Sequence, residues 1–239
     1  MPSNRTAPDP GERLAQYLRY EFEYAANPKN APAMQAYMKS VMPFYGIQAP
    51  ERRMICKRAF VEFPLGSVDE WQSTALRMWR EARFREERYA AMELTGYRAY
   101  RPFQTLQTLP MYEEMIVTGA WWDFVDVIAK ERLGLLLERY PTPMRKKMLV
   151  WSRSTNLWKR RSAILCQLGF KKKTDLALLY ACIEPSLSSK EFFLQKAIGW
   201  ALRQYAWTDP AEVQRYVREN GESLSALSRR EALKNVGAA

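Results

Sequence analysis

The spacing of apolar residues along this chain is helical almost throughout. In residues 188–206 two adjacent stripes recur at intervals of about four residues, the period of one helix face. These stripes comprise Phe193, Ala197 and Ala201, and Leu194, Ile198 and Leu202. Residues 156–169 and 173–184 follow the same pattern. No convincing alternating strand pattern occurs. The pattern predicts an all-α chain of about a dozen short helices.

Capping-box spacings mark several predicted helix starts. In each, a Ser or Asp side chain can accept from the third following amide, while a Glu at that position reaches back. The four boxes are Ser67–Glu70, Ser188–Glu191, Asp209–Glu212 and Ser228–Glu231. The run Pro50–Arg53, after the expected turn at Gly46, also has the character of a helix start.

Three apolar blocks indicate an internal repeat. They are AWWDFVDVI at 120–128, LWKRRSAIL at 157–165 and FLQKAIGWAL at 193–202. When Trp122, Arg161 and Trp200 are aligned, both intervals are 39 residues. HEAT-type helical pairs repeat at about 40 residues, and a solenoid places equivalent positions of successive repeats in one row. The spacing supports a helical-repeat solenoid.

The charge balance favours a polyanionic partner. The chain of 239 residues carries a formal net charge of +11, has a pI near 9.6 and contains no histidine. Such a balance suits nucleic acid or an anionic membrane surface. The alternative at this stage is a basic protein whose charge only aids solubility.

The residue types present exclude several kinds of chemistry. Without histidine, Ser-His and Cys-His nucleophiles cannot form. Cys56, Cys166 and Cys182 are widely spaced, which argues against a disulfide framework and fits a reducing cytosol. Zinc and iron–sulfur sites would lack ligands. We expect neither metal nor cofactor, although a weak magnesium site is left open.

The ends of the chain and its longest apolar runs bear on location. The first ten residues, MPSNRTAPDP, lack the apolar segment of a signal peptide. No run approaches the roughly 18 apolar residues of a membrane span. We therefore expect a cytoplasmic monomer without a membrane partner. Residues 1–11 are predicted to be a flexible extension, and residues 12–239 a single domain.

Five longer blocks carry a resemblance to a known family. They are MQAYMKSVMPFYGIQAPERR at 34–53, AWWDFVDVIA at 120–129, NLWKRRSAILCQLGFKKKTD at 156–175, SSKEFFLQKAIGWALRQYAWTDP at 188–210 and LSRREALKN at 227–235. In order and spacing they resemble the AlkD family of bacterial DNA alkylation-repair glycosylases, over most of residues 12–236. The resemblance implies a HEAT-like solenoid with a concave basic face that binds duplex DNA.

The resemblance also implies residue roles. It makes Asp126 the catalytic carboxylate, with Trp122 and Trp200 as the aromatic walls of the site. Arg161 would hold a backbone phosphate near the lesion, where its planar fork suits bidentate contact, and Tyr37 would lie near the lesion. Without the resemblance, a core position is the more common one for a tryptophan such as Trp122, and Arg161 is equally one cation of a solvated basic run.

The implied reaction suits these residue types. N7-alkylguanine and N3-alkyladenine are positively charged and leave without protonation by an acid. A carboxylate can stabilise the oxocarbenium-like sugar and position water, and tryptophan faces attract cationic character. The resemblance implies a shallow site without deep base flipping. With no recognisable Schiff-base lysine, we expect a monofunctional glycosylase, located in the cytoplasm and at the nucleoid.

Further cations are candidates for DNA contact. Lys196 and Arg203 fall four residues before and three after Trp200, on the same helix face. Arg53 lies in the helix start after Gly46 and is suited to a phosphate or to a purely structural role. Lys171–Lys173 and Arg229–Arg230 are general backbone contacts or solvated charges.

Two other functions remain open at this stage. The first is a non-catalytic helical-repeat protein that binds distorted or branched DNA. The presence of Trp122, Asp126, Arg161 and Trp200 together argues against it. The second is a helical scaffold that binds protein, which leaves the basic excess unexplained.

Overall fold

The computed structural model of the chain describes residues 9–234 and residue 236. Within them the secondary structure is entirely helical and no strand occurs, which confirms the all-α prediction. The chain divides into two compact units, the first ending at Phe103 and the second beginning at Gln104. The single domain expected over residues 12–239 stays a prediction.

From residue 9 onward, where it is described, the first unit contains five α-helices and a terminal 3₁₀ segment. They are α1 (Pro10–Tyr24), α2 (Ala31–Met38), α3 (Ala49–Glu62), α4 (Val68–Arg80), α5 (Arg85–Gly96) and the 3₁₀ segment Arg98–Phe103. Helices α1, α3, α4 and α5 pack against one another. Their buried faces carry large side chains, among them Phe22, Trp71 and Trp79.

Helix α1 begins two residues before the predicted domain start. Asp9 caps it by accepting from the amide of Glu12, and Pro10 occupies the first turn. The Asp9 carboxylate also binds Arg77 of α4 at 2.8 and 3.0 Å, which lowers its pKa to about 2. Residues 10 and 11 of the predicted extension therefore belong to this helix. Residues 1–8 of the extension lie outside the described residues.

A buried carboxylate organises the turn before α3. Glu86 is fully buried, and its oxygens accept from the amides of Tyr45, Gly46 and Ile47 at 2.9 to 3.2 Å. Gly46 has a φ of +86°, and a Cβ there would lie 2.1 Å from the carbonyl oxygen of Asn27. Only glycine fits such a left-handed, crowded position.

The second unit contains nine α-helices among its described residues. They are α6 (Leu109–Gly119), α7 (Trp122–Val127), α8 (Gly134–Arg139), α9 (Pro141–Ser152), α10 (Leu157–Leu165), α11 (Leu176–Ile183), α12 (Phe192–Ala206), α13 (Pro210–Glu219) and α14 (Ala226–Ala232). A π-helical segment, Ile128–Leu133, joins α7 to α8 without a break. Short 3₁₀ segments occupy Leu106–Thr108, Lys171–Lys173 and Glu184–Ser186.

Helix α10 is central to this unit. It packs against α6, α7, α9, α11, α12 and the π-helical segment. Asn156 caps it, accepting from the amides of Trp158 and Lys159. Helices α7, α10 and α12 carry Trp122, Arg161 and Trp200, and α10 contacts both of the others. The 39-residue spacing therefore selects three helices of which the middle one, α10, packs against both others.

Two of the four predicted helix caps are confirmed. Ser67 accepts from the amide of Glu70 and Asp209 from that of Glu212. Tyr180 donates its hydroxyl proton to Glu212, whose carboxylate also binds Arg215, so Glu212 does not complete a capping box. The run from Pro50 also lies in the first turn of a helix, α3, as expected.

The other two predicted caps are wrong. Helix α12 begins at Phe192, because Ser189 accepts from the amide of Glu191 within the preceding turn. Helix α14 begins at Ala226, because Ser225 is its cap and accepts from the amide of Ser228. Capping-box spacing thus marks the neighbourhood of both helices but not the first residue.

None of the described helices combines the length and the apolar character that crossing a membrane requires.

Candidate active site

The candidate carboxylate lies on a short helix with an abrupt start. Ala120 has a left-handed φ of 43° and Trp121 is extended, so α7 begins at Trp122. Asp126 follows one turn later on the same face. After α7 the helix widens, and the amide of Gly134 donates to the carbonyl of Ala129, five residues back. π-turns of this kind often occur at functional sites.

Asp126 and Arg161 form a bidentate ion pair. The Nε and Nη2 groups of Arg161 donate to the two carboxylate oxygens, each at 2.7 Å. The side chains are only 5% exposed for Arg161 and 12% for Asp126. Pairs with this planar geometry are strong and directional. The orientation of the Asp126 carboxylate is therefore fixed by a residue of α10.

Arg161 makes a third contact, to α12. Its Nη1 group donates to the carbonyl of Phe193 in the first turn of that helix. One buried guanidinium thereby joins α7, α10 and α12. Because three of its nitrogen atoms are engaged, the geometry favours a role for Arg161 in positioning Asp126. The direct phosphate contact expected from the sequence stays a prediction.

The surroundings of Asp126 shift its acidity. Burial, the largest effect, raises the pKa of the carboxyl group above the ordinary value of 3.8. The hydrogen bonds from Arg161 oppose this shift. A carboxylate in such a site is poorly hydrated, which strengthens its interaction with a nearby positive charge.

An aromatic cluster lies behind the start of α7. Trp121 packs against Phe193 with a centroid separation of 5.4 Å and against Trp158 at 6.3 Å. Both tryptophans are half-buried, and among the described residues these ring contacts are found for Trp121 and not for Trp122. Phe192 is exposed and lies edge-on to Phe193. The pattern of apolar residues did not single out Phe192.

Trp200 is half-buried on α12, next to the core of the second unit. Lys196 and Arg203, the cations on either side of it, both bind the carboxylate of Glu231 on α14. The Lys196 Nζ lies 3.1 Å from one oxygen and the Arg203 Nη1 2.7 Å from the other. Both cations are thus ion-paired rather than fully solvated. Sequence reasoning missed their partner, Glu231.

Helices α12 and α14 cross closely at Gly199. A Cβ at Gly199 would lie 2.5 Å from the Cβ of Glu231 and 3.0 Å from the carbonyl oxygen of Ser228. The hydroxyl of Ser228 donates to the carbonyl of Gln195. A glycine inside an otherwise regular helix, next to Trp200, was the available signal of this close approach.

The remaining candidates lie in the first unit. Tyr37 is on α2 and is 76% exposed, so its side chain does not pack in the core of the first unit. Arg53 is exposed in the first turns of α3. Their contribution to a site with Asp126 stays a prediction. The structure itself brings together Asp126 with Arg161, and Lys196 with Arg203.

Comparison with known proteins identifies the family of this chain. Residues 18–236 match the model of a family described as DNA alkylation repair enzymes. This chain belongs to that family. The match confirms the resemblance drawn from the motifs.

A solved structure supports the same relationship for the fold. The chain is similar to a protein described as a predicted DNA alkylation repair enzyme from Enterococcus faecalis, with 33% identity and a TM-score of 0.79. The alignment covers 90% of this chain and 98% of that one. The helical fold expected for the alkylation repair family is thereby confirmed, while the concave basic face stays a prediction. The chain matches none of the curated proteins.

The close helix crossing generates a stability prediction. Gly199→Ala should lower the free energy of unfolding by about 1–2 kcal/mol, because the added methyl group overpacks the contact with α14. Urea denaturation measures the change. The matched control is Gly169→Ala, whose Cβ would meet only the Lys130 Cε at 3.9 Å. The control should change stability by less than about 0.5 kcal/mol; equal stability of both variants contradicts the packing account.

Proposed function

We propose that this alkylation repair family member is a monofunctional DNA glycosylase. Its substrates would be cationic alkylated purines, N7-alkylguanine and N3-alkyladenine, in duplex DNA. The observation that carries the proposal is the bidentate Asp126–Arg161 pair, which holds a poorly hydrated carboxylate in one orientation at a partly open position. Such a group is suited to stabilising positive charge that develops during a reaction.

The proposed step is hydrolysis of the N-glycosidic bond. The bond between the sugar C1′ and the purine N9 breaks, and its electron pair neutralises the positive charge of the base. The sugar becomes oxocarbenium-like, and water adds to C1′ and gives up a proton. The products are a neutral free base and an abasic site. No general acid is needed, because the cationic base is already a good leaving group, in contrast to ordinary glycoside hydrolysis.

Asp126 retains acceptor capacity for this role. A carboxylate offers about four lone-pair sites, and Arg161 occupies one on each oxygen. The remaining sites can bind the attacking water or face the developing sugar cation. Arg161 also keeps the carboxylate from rotating, so little reorganisation is needed when charge develops.

The two tryptophans are proposed as the aromatic walls of the site. Trp122 lies one turn before Asp126, and both Trp122 and Trp200 are half-buried. Electron-rich indole faces attract the positive charge of an alkylated base or an oxocarbenium-like sugar. Partly exposed walls of this kind support a shallow site that acts without deep base flipping.

The proposed partner is double-stranded DNA containing alkylated bases, bound by a monomer in the cytoplasm and at the nucleoid. The net charge of +11 supports a polyanionic ligand. Lys196, Arg203, Arg53 and Tyr37 are the proposed DNA-contacting residues. The alternative, binding of distorted or branched DNA without catalysis, differs in leaving Asp126 without a chemical role.

The first prediction from the proposed function concerns the carboxylate. Asp126→Asn should lower the single-turnover rate of 7-methylguanine release by at least about tenfold, or roughly 1.4 kcal/mol in barrier, with little change in duplex affinity. The reason is that the amide removes the negative charge but keeps the shape. Asp69→Asn, the same change at an exposed position on α4, is the matched control. Full activity of Asp126→Asn overturns the assignment.

The second prediction concerns pH. If the ionised form of Asp126 is active, release of base should fall on acidification through the pKa of this group. Because burial raises that pKa, the acidic limb should lie above 3.8, the ordinary value. In Arg161→Met the limb should move to still higher pH, since the opposing hydrogen bonds are lost. Spontaneous release from the same duplex is subtracted at each pH. An acidic limb that is identical in the Asp126→Asn variant contradicts the prediction.

A further inference from the structure

Glu231 stands out as an acidic residue next to proposed DNA-contacting cations. Its carboxylate lies between Lys196 and Arg203, which are seven residues and about two turns apart on α12. The side chain of Glu231 is only 12% exposed, whereas those of Lys196 and Arg203 are 38% and 23% exposed. The acid is thus the buried member of the trio and the cations are the accessible ones.

The position of Glu231 is fixed by the packing of α14 on α12. Its Cβ lies over Gly199, at a point where even a methyl group on the neighbouring helix would clash. Ser228, one turn earlier on α14, is hydrogen-bonded to the carbonyl of Gln195 on α12. The carboxylate is therefore a rigid acceptor, while the two longer cationic side chains are the flexible partners.

Both cations keep hydrogen-bond donors that Glu231 does not use. Arg203 directs one of its five N–H groups to the carboxylate, and an ammonium group such as that of Lys196 has three. Displacing Glu231 from them would leave a buried carboxylate without a partner, which is strongly unfavourable. An incoming anion is consequently bound by the remaining donors, with Glu231 still paired.

We propose that Glu231 is a positioning residue that holds Lys196 and Arg203 on either side of Trp200, so that their free N–H groups together receive one DNA phosphate. The inference rests on the proposed function, since it requires that this surface binds DNA. The trio has a net charge of +1, enough to attract a phosphodiester. Holding two long side chains in place beforehand reduces the entropy lost when the phosphate binds.

A simple electrostatic account, in which Glu231 only repels DNA, predicts the opposite effect of neutralising Glu231 on DNA affinity. If Glu231 only repels DNA, its neutralisation tightens binding in every background. If it positions the cations, Glu231→Gln weakens binding in the wild-type background. In a Lys196→Met/Arg203→Met background, Glu231 has neither cation to position and keeps only a coulombic interaction with Lys234. There the same substitution should strengthen binding. The sign of the effect therefore separates the two accounts.

The experiment is a mutant cycle on duplex affinity, measured by fluorescence anisotropy with a defined oligonucleotide at several salt concentrations. Glu231→Gln in the wild-type background should weaken binding by at least about threefold, within the usual range of coupling between contacting groups. The slope of log affinity against log salt should become shallower by up to about 0.9, the value for one lost phosphate contact. Circular dichroism establishes that each variant is folded.

Glu222→Gln is the matched control, because it removes the same charge at an exposed position of the same unit. It should tighten binding slightly in both backgrounds. Should the double-methionine variant fail to fold, the single variants Lys196→Met and Arg203→Met take its place. In each of these the weakening caused by Glu231→Gln should be smaller than in the wild type.

The outcomes distinguish this inference from the proposed function. Tighter binding by Glu231→Gln in all backgrounds, or equal weakening in all of them, overturns the positioning role and leaves the proposed function intact. Failure of the wild-type protein to bind the duplex at any salt concentration overturns the proposed function and the phosphate site with it.

Discussion

The second unit depends on the hydrogen bonds made by the buried guanidinium of Arg161. It donates to both oxygens of Asp126 on α7 and to the carbonyl of Phe193 on α12, while its own helix, α10, contacts most of the unit. Removing one member of a buried ion pair typically costs about 3–5 kcal/mol, because the other charge is left without a partner. The same contact thus joins the helices and orients the candidate catalytic group. Stability and proposed chemistry share one residue.

The second unit contains two groups of ion-paired residues in which one charged side chain orients another. In the Asp126–Arg161 pair a buried cation orients a partly open carboxylate, which is the proposed reacting group. In the second group the order is reversed, and buried Glu231 orients two more accessible cations. Both groups lie on helices next to a proposed aromatic wall, Trp122 or Trp200. A surface that must bind a polyanion and stabilise a cation needs both kinds of charge.

Much of this was predictable from the sequence, because helical periodicity and family motifs extend over most of the chain. The all-α fold and the family were both inferred correctly. The caps at Ser188 and Ser228 were misplaced, since several serines compete for each helix start and local spacing does not decide between them. Glu231 was missed as a partner of Lys196 and Arg203 because the contact joins residues 28 or more positions apart. Spacing rules describe one helix and carry no information on which face of another helix meets it.

The central claim is that this protein breaks the N-glycosidic bond of a cationic purine. Mass spectrometry of the products from a duplex with one N7-methylguanine, at excess protein, tests it most directly. The account predicts free 7-methylguanine and a full-length strand with an abasic site. Binding of the duplex without release of base above the spontaneous level would contradict the account, and would favour a protein that recognises altered DNA without acting on it.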